Sequence, residues 1–324
     1  MRIFNIRPHQ KCPKIKGAVI ALGSFDGVHQ GHQKILQTAK LLAKKYERLA
    51  GVISYMPIPQ VLIHKDFHFL LTTDREKISI FKELAVDFLG TIRFTPLLKN
   101  LDAKQYIIEY IIKTIKPSAI VVGIDHRFGK EHKGNVTLLR KICKEFDCEV
   151  KVIASMKYHN APIKSTRIRE LIILGNVKRA HELLGRPYSI TGTVIKGKGL
   201  AKQLGFPTLN MHIPEKEKLV PADGVYHTRT SFDGKKYDGV MNIGFAPTIP
   251  DKLHAYQMRS LEAHLFDFNG TEKSALGKEI TVEFFDRLRP EKKFDSLEEL
   301  KNQIAEDIKK VKGLIGVKLL NFSE

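Results

Sequence analysis

The sequence predicts an α/β plus β chain: a parallel sheet covered by helices, followed by a small antiparallel β domain that a helix closes. Three observations predict it. Over the first half, short apolar runs of the buried-strand type alternate with helical patterns. Beyond Gly185-Arg186-Pro187 the texture changes to short β-like runs separated by Gly, Pro and Asp. The charge changes at the same place. Residues 1–186 hold 33 Lys and Arg against 16 Asp and Glu, so they carry +17 of the net +19, and residues 187–324 carry +2. The domain boundary is therefore placed near residue 186, giving domains of residues 1–186 and 187–324.

In chain order, Ala18–Leu22 reads as the first buried strand and His32–Lys45 as a helix. Leu49–Ser54 is the next strand, and Asp74–Leu84 is a helix that Thr73 or Asp74 can cap. Phe88–Ile92 is a strand, and the helix Ala103–Ile115 stops before Pro117. Ala119–Gly123, the helix Val136–Glu145 and the strand Glu149–Ala154 complete the alternation. Two short helices, Thr166–Leu174 and Val177–Leu184, flank the helix stop Gly175-Asn176. The second part offers strands at Tyr188–Ile195, Gly224–Arg229, Tyr237–Ile243, Glu262–Phe268 and Ile280–Phe285, the pattern of a small barrel or sandwich. Its closing helix has a Ser296/Glu299 capping box and an apolar stripe of Leu297, Leu300, Ile304 and Ile308.

The bulk composition excludes some classes. No run of 18 apolar residues offers a membrane span, and the basic N-terminus lacks the apolar core of a signal peptide. Cys12, Cys143 and Cys148 are odd in number and lack zinc spacing, which fits incidental thiols in a reducing cytoplasm. The basic field of the first part attracts polyanions such as nucleotides and pyrophosphate.

Two stretches carry chemistry. Gly23-Ser-Phe-Asp-Gly-Val-His-Gln-Gly-His32 lies between a buried strand and a helix, where backbone N–H groups and the helix dipole face an anion. Gly27 and Gly31 allow close approach, and His29 and His32, three residues apart, meet at one end of a helical turn. Paired imidazoles there can stabilise an α-phosphate as charge builds in an in-line displacement. Ser165 and Thr166 can cap the next helix, whose N-terminus with Arg167 or Arg169 can hold departing phosphates. The second stretch runs from Gly192 to Asn210. It is not a Walker A loop, but its Gly- and Lys-containing turn can wrap phosphates. Thr208 and Asn210 offer hard oxygens suited to Mg²⁺.

The Gly-x-Phe-Asp-Gly-x-His-x-Gly-His stretch resembles the HxGH nucleotidyltransferases. With Leu71-Thr, Glu76-Lys, Val122–Gly129 and Ser165–Arg169, the first part resembles the adenylyltransferase half of bacterial bifunctional riboflavin kinase/FAD synthetases. The Gly192–Asn210 stretch, Asn242–Thr248, Leu261–Phe268, Gly277-Lys and Leu288–Phe294 stand in riboflavin-kinase order. The resemblance implies a Rossmann-like first domain and a β-barrel second domain. It implies phosphorylation of riboflavin to FMN with ATP and Mg²⁺, then adenylylation of FMN to FAD with release of pyrophosphate. Carried over by motif, His29 and His32 act at the α-phosphate. Gly23, Ser24, Phe25, Asp26, Gly27, Gly31, Asp125, Arg127, Ser165, Thr166 and Arg167 bind the nucleotide of that step. Pro57 and Phe128 contact its flavin.

In the second part the resemblance implies that Glu262 is the base for the riboflavin hydroxyl; on a strand it shares one face with His264, opposite Leu261, Ala263 and Leu265. By the same resemblance Gly197, Lys198, Gly199, Lys202, Gly205, Pro207, Thr208 and Asn210 are expected to hold ATP, Thr208 and Asn210 the metal, and Arg289 and Glu291 to contact flavin. The chain departs from the family pattern at Ile58, His126 and Lys164, where the family shows His, an aromatic and Ser. It departs again at Leu200-Ala201-Lys202, where Arg-Gly-Arg is common. The first three positions motivate a second reading, a single-activity kinase with a degenerate first domain. The basic first part motivates a third, a flavin- or RNA-binding regulator on the same fold. No RNA-recognition motif with stacking aromatics is visible, so the expected partners are riboflavin, FMN and ATP, without nucleic acid or membrane. Nothing in the pattern signals an oligomeric state.

Overall fold

Short apolar segments build the first sheet: β1 (Arg2–Asn5), β2 (Val19–Leu22), β3 (Ala50–Tyr55), β4 (Phe88–Ile92), β5 (Ala119–Gly123) and β6 (Glu149–Ile153). The computed structural model describes residues 1–63, 69–197, 199–245 and 259–320. All strand pairs of this sheet are parallel, in the order β1-β4-β3-β2-β5-β6. Alternate residues of β2 feed two cores. Ile20 and Leu22 join Ile53, Phe88 and Ile120 on one face, and Val19 and Ala21 join Val52, Leu89 and Val121 on the other. Burial on both faces explains why β2 reads as a continuous apolar run and not an alternation.

Helices α1 (Gln30–Lys45) and α2 (Asp74–Glu83) cover one face with Leu36, Ala39 and Phe81. Helix α3 (Val136–Lys144) covers the other with Leu139 and Ile142. Thr73 caps α2 in a full capping box with Glu76. The helical stretch 103–115 contains a π-helical segment, Ile107–Ile112, that its periodicity does not announce. The sheet order reverses between β2 and β5, which places a crevice at their C-terminal ends.

Contacts divide the chain into two units, Met1–Ser165 and Thr166–Glu324. The change of texture near residue 186 coincides with the first barrel strand, whereas the contacts divide one helical pair earlier. Helices α4 (Ser165–Ile173) and α5 (Val177–Leu184) have the same periodicity as the helices before them, so nothing in the sequence separates them. Helix α5 buries Val177, Ala180, Leu183 and Leu184 and packs on two strands of the barrel, β9 (Tyr188–Ile195) and β14 (Glu279–Arg289). A fragment of residues 166–324 is expected to fold. One of residues 187–324 should melt lower or show no transition, because each fully buried Leu or Val contributes about 1.5–3 kcal/mol. Equal melting temperatures would show that α5 adds nothing.

A two-residue hairpin, β7 (Lys157–Tyr158) and β8 (Ala161–Pro162), precedes α4. The second unit is a closed antiparallel barrel. It adds β10 (Leu209–His212), β11 (Gly224–Phe232), β12 (Lys235–Phe245) and β13 (Arg259–Leu265), in the order β10-β13-β12-β11-β14-β9, and β9 pairs back onto β10. Leu261, Ala263 and Leu265 point inward with Ile190, Met211, Val282 and Phe284. Helix α6 (Leu297–Leu320) packs through Ile308, Val311 and Ile315 on Val225, Val240 and Phe266.

The predicted stripe on that helix is corrected at its start. Leu297 is 58% exposed, and the packed face lies further along the helix. The cap is also half of a box: Ser296 Oγ accepts from the Glu299 N–H at 3.2 Å, while the Glu299 carboxylate takes the Asp295 N–H. The main anchor is polar. Arg289 donates to buried Asp307 through Nε at 3.0 Å and Nη2 at 2.9 Å. Asp307→Ala should lower unfolding free energy by about 3 kcal/mol in denaturant titration, since it strands a largely buried guanidinium. A loss below about 1 kcal/mol would make the pair an ordinary surface contact.

Candidate active sites

In the first unit a cavity of about 720 Å³ opens where β2 and β5 end. One wall is the turn from Gly23 to His29. Gly27 has φ +80°, and two buried non-glycine residues share the left-handed region, Phe25 at 51° and Val28 at 39°. A β-branched residue there costs of order 1–3 kcal/mol, which packing must offset. Phe25 is held edge-on between His32 and Phe81.

His29 caps α1, its Nδ1 accepting from the His32 N–H at 3.3 Å. The two imidazoles stack with centroids 3.6 Å apart and planes 15° apart. Gly31 leaves room beside them, since an added Cβ would lie 3.1 Å from the His29 ring and press on it. Gly23, Ser24, Phe25, His29, Gly31 and His32 all line the cavity.

Asp26 and Gly27, expected at the nucleotide, lie behind that wall. The Asp26 carboxylate accepts from the Leu71 and Thr72 amides at 3.3 and 3.1 Å, and the Gly27 N–H donates to Thr72 Oγ1 at 3.0 Å. Lys77 is fully buried, and its ammonium donates to the Ser24 carbonyl at 3.2 Å, which also accepts from Ser54 Oγ at 3.1 Å. Burial lowers the Lys77 pKa, and the charges of Asp26 and Asp74 oppose that shift. Sequence reasoning left Lys77 without a role; the only signal was its place in the Glu76-Lys pair. Ser165 Oγ donates to the Asp26 carbonyl at 2.9 Å. Lys164 and Ser165 line the cavity, and Thr166 and Arg167 continue the first turn of α4.

The other wall follows β5. Asp125, His126, Arg127 and Phe128 line it, with Tyr55 and Tyr106 beyond. Phe128 stacks with His126 at 5.6 Å and meets Tyr106 at 6.2 Å. Burial pushes the His126 pKa down to about 4, so at neutral pH it is an uncharged aromatic ring. That fits the place where the resembled family has an aromatic. Ile58 is buried, whereas Pro57, expected at flavin, is not part of the lining; Pro59 is.

The barrel carries a second constellation. Register places Asn210 and Asn242 directly opposite Glu262 on its two neighbouring strands, β10 and β12. Cross-strand partners of this kind lie about 4.5–5.5 Å apart at Cβ, so the three polar side chains form one row outside the barrel core. His264, next on that face, donates from Nδ1 to the Pro207 carbonyl at 2.8 Å and so ties the Pro207-Thr208 turn to β13. Gly197 is pressed against Asn210; an added Cβ would lie 1.9 Å from Nδ2. Gly199 and Gly205 have φ +75° and +92° and open space around them. Lys198 and the side chain of Lys202 lie outside the described residues, as does the motif beyond Phe245. Glu291 lies against Gly244, where an added Cβ would meet its Oε1 at 2.1 Å. The Arg289 guanidinium is engaged by Asp307 and the Pro290 carbonyl, so it anchors α6.

Both parts of the chain match known families. Residues 11–167 match the FAD synthetase family model, and residues 184–315 match the riboflavin kinase model. A bifunctional riboflavin kinase/FMN adenylyltransferase of Buchnera aphidicola is 36% identical over 91% of this chain and 93% of its own. The enzyme of that name from Bacillus subtilis is 34% identical over 90% of each chain. The chain belongs to the bifunctional riboflavin kinase/FMN adenylyltransferase family. A solved structure from Streptococcus pneumoniae titled as a macrolide-efflux protein has a TM-score of 0.84 and 29% identity, covering 95% of this chain and 97% of its own. No helix among the described residues of this family member is long and apolar enough to cross a membrane. The stacked histidines and the Asn210–Glu262–Asn242 row lie inside the two matched segments.

Proposed function

We propose that this chain phosphorylates riboflavin in its barrel and adenylylates FMN in its first unit. The observation that carries the kinase step is the register that sets Glu262 between Asn210 and Asn242, beside the Gly-rich turn. Glu262 accepts the proton of the riboflavin 5′-hydroxyl, and the oxygen attacks the γ-phosphorus of ATP as its bond to the bridging oxygen breaks and ADP leaves. Thr208 and Asn210 fit a Mg²⁺ ion: both offer hard oxygens, and contact with Gly197 fixes the Asn210 amide at the turn. When bound, the ion neutralises phosphate charge.

In the first unit the stacked His29 and His32 face an α-phosphate as the FMN phosphate displaces pyrophosphate, which departs toward Ser165. Phe128, Tyr106 and the neutral His126 ring form an aromatic wall for the flavin. Three buried free thiols support a reducing compartment such as the cytoplasm.

The test is direct. Incubation with riboflavin, ATP and Mg²⁺, followed by chromatographic separation, should yield FMN and then FAD. FMN alone would establish the single-activity kinase, and neither product would overturn the proposal.

A further inference from the structure

The amide of Gly197, the first glycine of the Gly-Lys-Gly turn, donates to the Glu272 carboxylate at 2.7 Å. Glu272 opens the short helix Glu272–Ala275. Thr271 caps that helix: its Oγ1 accepts from the Ser274 N–H at 3.2 Å, and Ser274 Oγ accepts from the Thr271 N–H at 3.0 Å. The carboxylate is thus presented from a braced segment. No motif marks Glu272, because its partner is a backbone group 75 residues away.

The backbone N–H groups of a glycine-rich turn are the natural donors to phosphate oxygens. A carboxylate oxygen offers the same negative charge and the same lone pairs, and a charge-assisted bond of this kind is strong. We propose that Glu272 competes with a phosphate oxygen of ATP for the Gly197 N–H, and so sets the nucleotide affinity of the barrel site. This rests on the kinase reading above. The N–H serves one acceptor well, and a phosphate oxygen arriving beside Glu272 meets a like charge. ATP therefore binds with the carboxylate turned off the loop, and the contact it gives up is subtracted from the binding free energy. Asn210 presses on the same glycine, so loop amide, carboxylate and metal-binding amide converge at Gly197.

An architectural role predicts the opposite sign, since a loosened turn would bind ATP more weakly. Glu272→Gln removes the charge but keeps the shape, and Glu272→Ala removes both. In the full chain, both variants should lower the KM for ATP in FMN formation by about three- to tenfold, the scale of one hydrogen bond's net contribution. The KM for riboflavin should not move. A second readout needs no turnover: hydrogen exchange of the peptide spanning residues 192–197, followed as ATP-Mg²⁺ is added. The concentration giving half-protection should fall by the same factor. A KM and half-protection dose that rise or stay constant would overturn the proposal, as would a weakened dependence on Mg²⁺, which would make Glu272 a metal ligand. A lowered dose in a chain that makes no FMN would sustain the competition and remove the kinase reading instead.

Discussion

Glu262→Gln is expected to cut FMN formation by about two orders of magnitude or more, the scale of losing a general base. The amide is nearly isosteric with the carboxylate and can still pair with polar groups, so the row across β10, β13 and β12 should persist. Riboflavin affinity, read by quenching of flavin fluorescence, should change little, which separates a lost proton acceptor from a lost binding surface. The inward neighbours Leu261 and Ala263 are untouched, so the melting temperature should hold. Turnover within about threefold of the parent would remove Glu262 from the chemistry, because a general base contributes far more than that. The same variant should still convert supplied FMN to FAD, since the first unit has its own cavity.

The second large effect concerns His29. His29→Ala should abolish measurable FAD formation from FMN while sparing FMN formation from riboflavin. His29 also caps α1, and an Ala there costs about 1 kcal/mol of stability, so loss of activity alone would be ambiguous. His29→Asn resolves it. Asn is a good N-cap but offers no imidazole to stack on His32 or to stabilise an α-phosphate. The Asn variant should melt like the parent and still fail to make FAD. Restoration of FAD synthesis by Asn would reduce His29 to a helix cap.

Much of this architecture was legible because strong local signals agreed with tertiary context. The β2–α1 turn, the Thr73 cap and the alternation of β13 all lie where pattern places them. What escaped did so for physical reasons. Strand β1 is four mostly exposed residues that exist through pairing with β4, and β10 is equally short and sits directly behind Pro207. The positive φ of Phe25 and Val28 is a tertiary imposition on residues that avoid it. The Arg289–Asp307 pair joins residues 18 apart on two different elements, a spacing that no local pattern marks. Lys77 and Glu272 act on backbone carbonyl and amide groups, and such partners leave no trace in residue identity.

The closed barrel has a bearing on how the chain behaves in a concentrated solution. A ring of six paired strands offers no unpaired ladder to another molecule, whereas the open sheet ends in two, at β1 and β6. Unpaired ladders template association between molecules. On β6 the exposed charges of Glu149 and Lys151 interrupt any apolar stripe, and β1 is short and begins with Arg2. Behind β1 stands β4, whose Phe88 and Leu89 are buried. The first five residues thus act as a sacrificial selvedge: shorn of them, the sheet would present an apolar strand to its neighbours, and self-association would begin there.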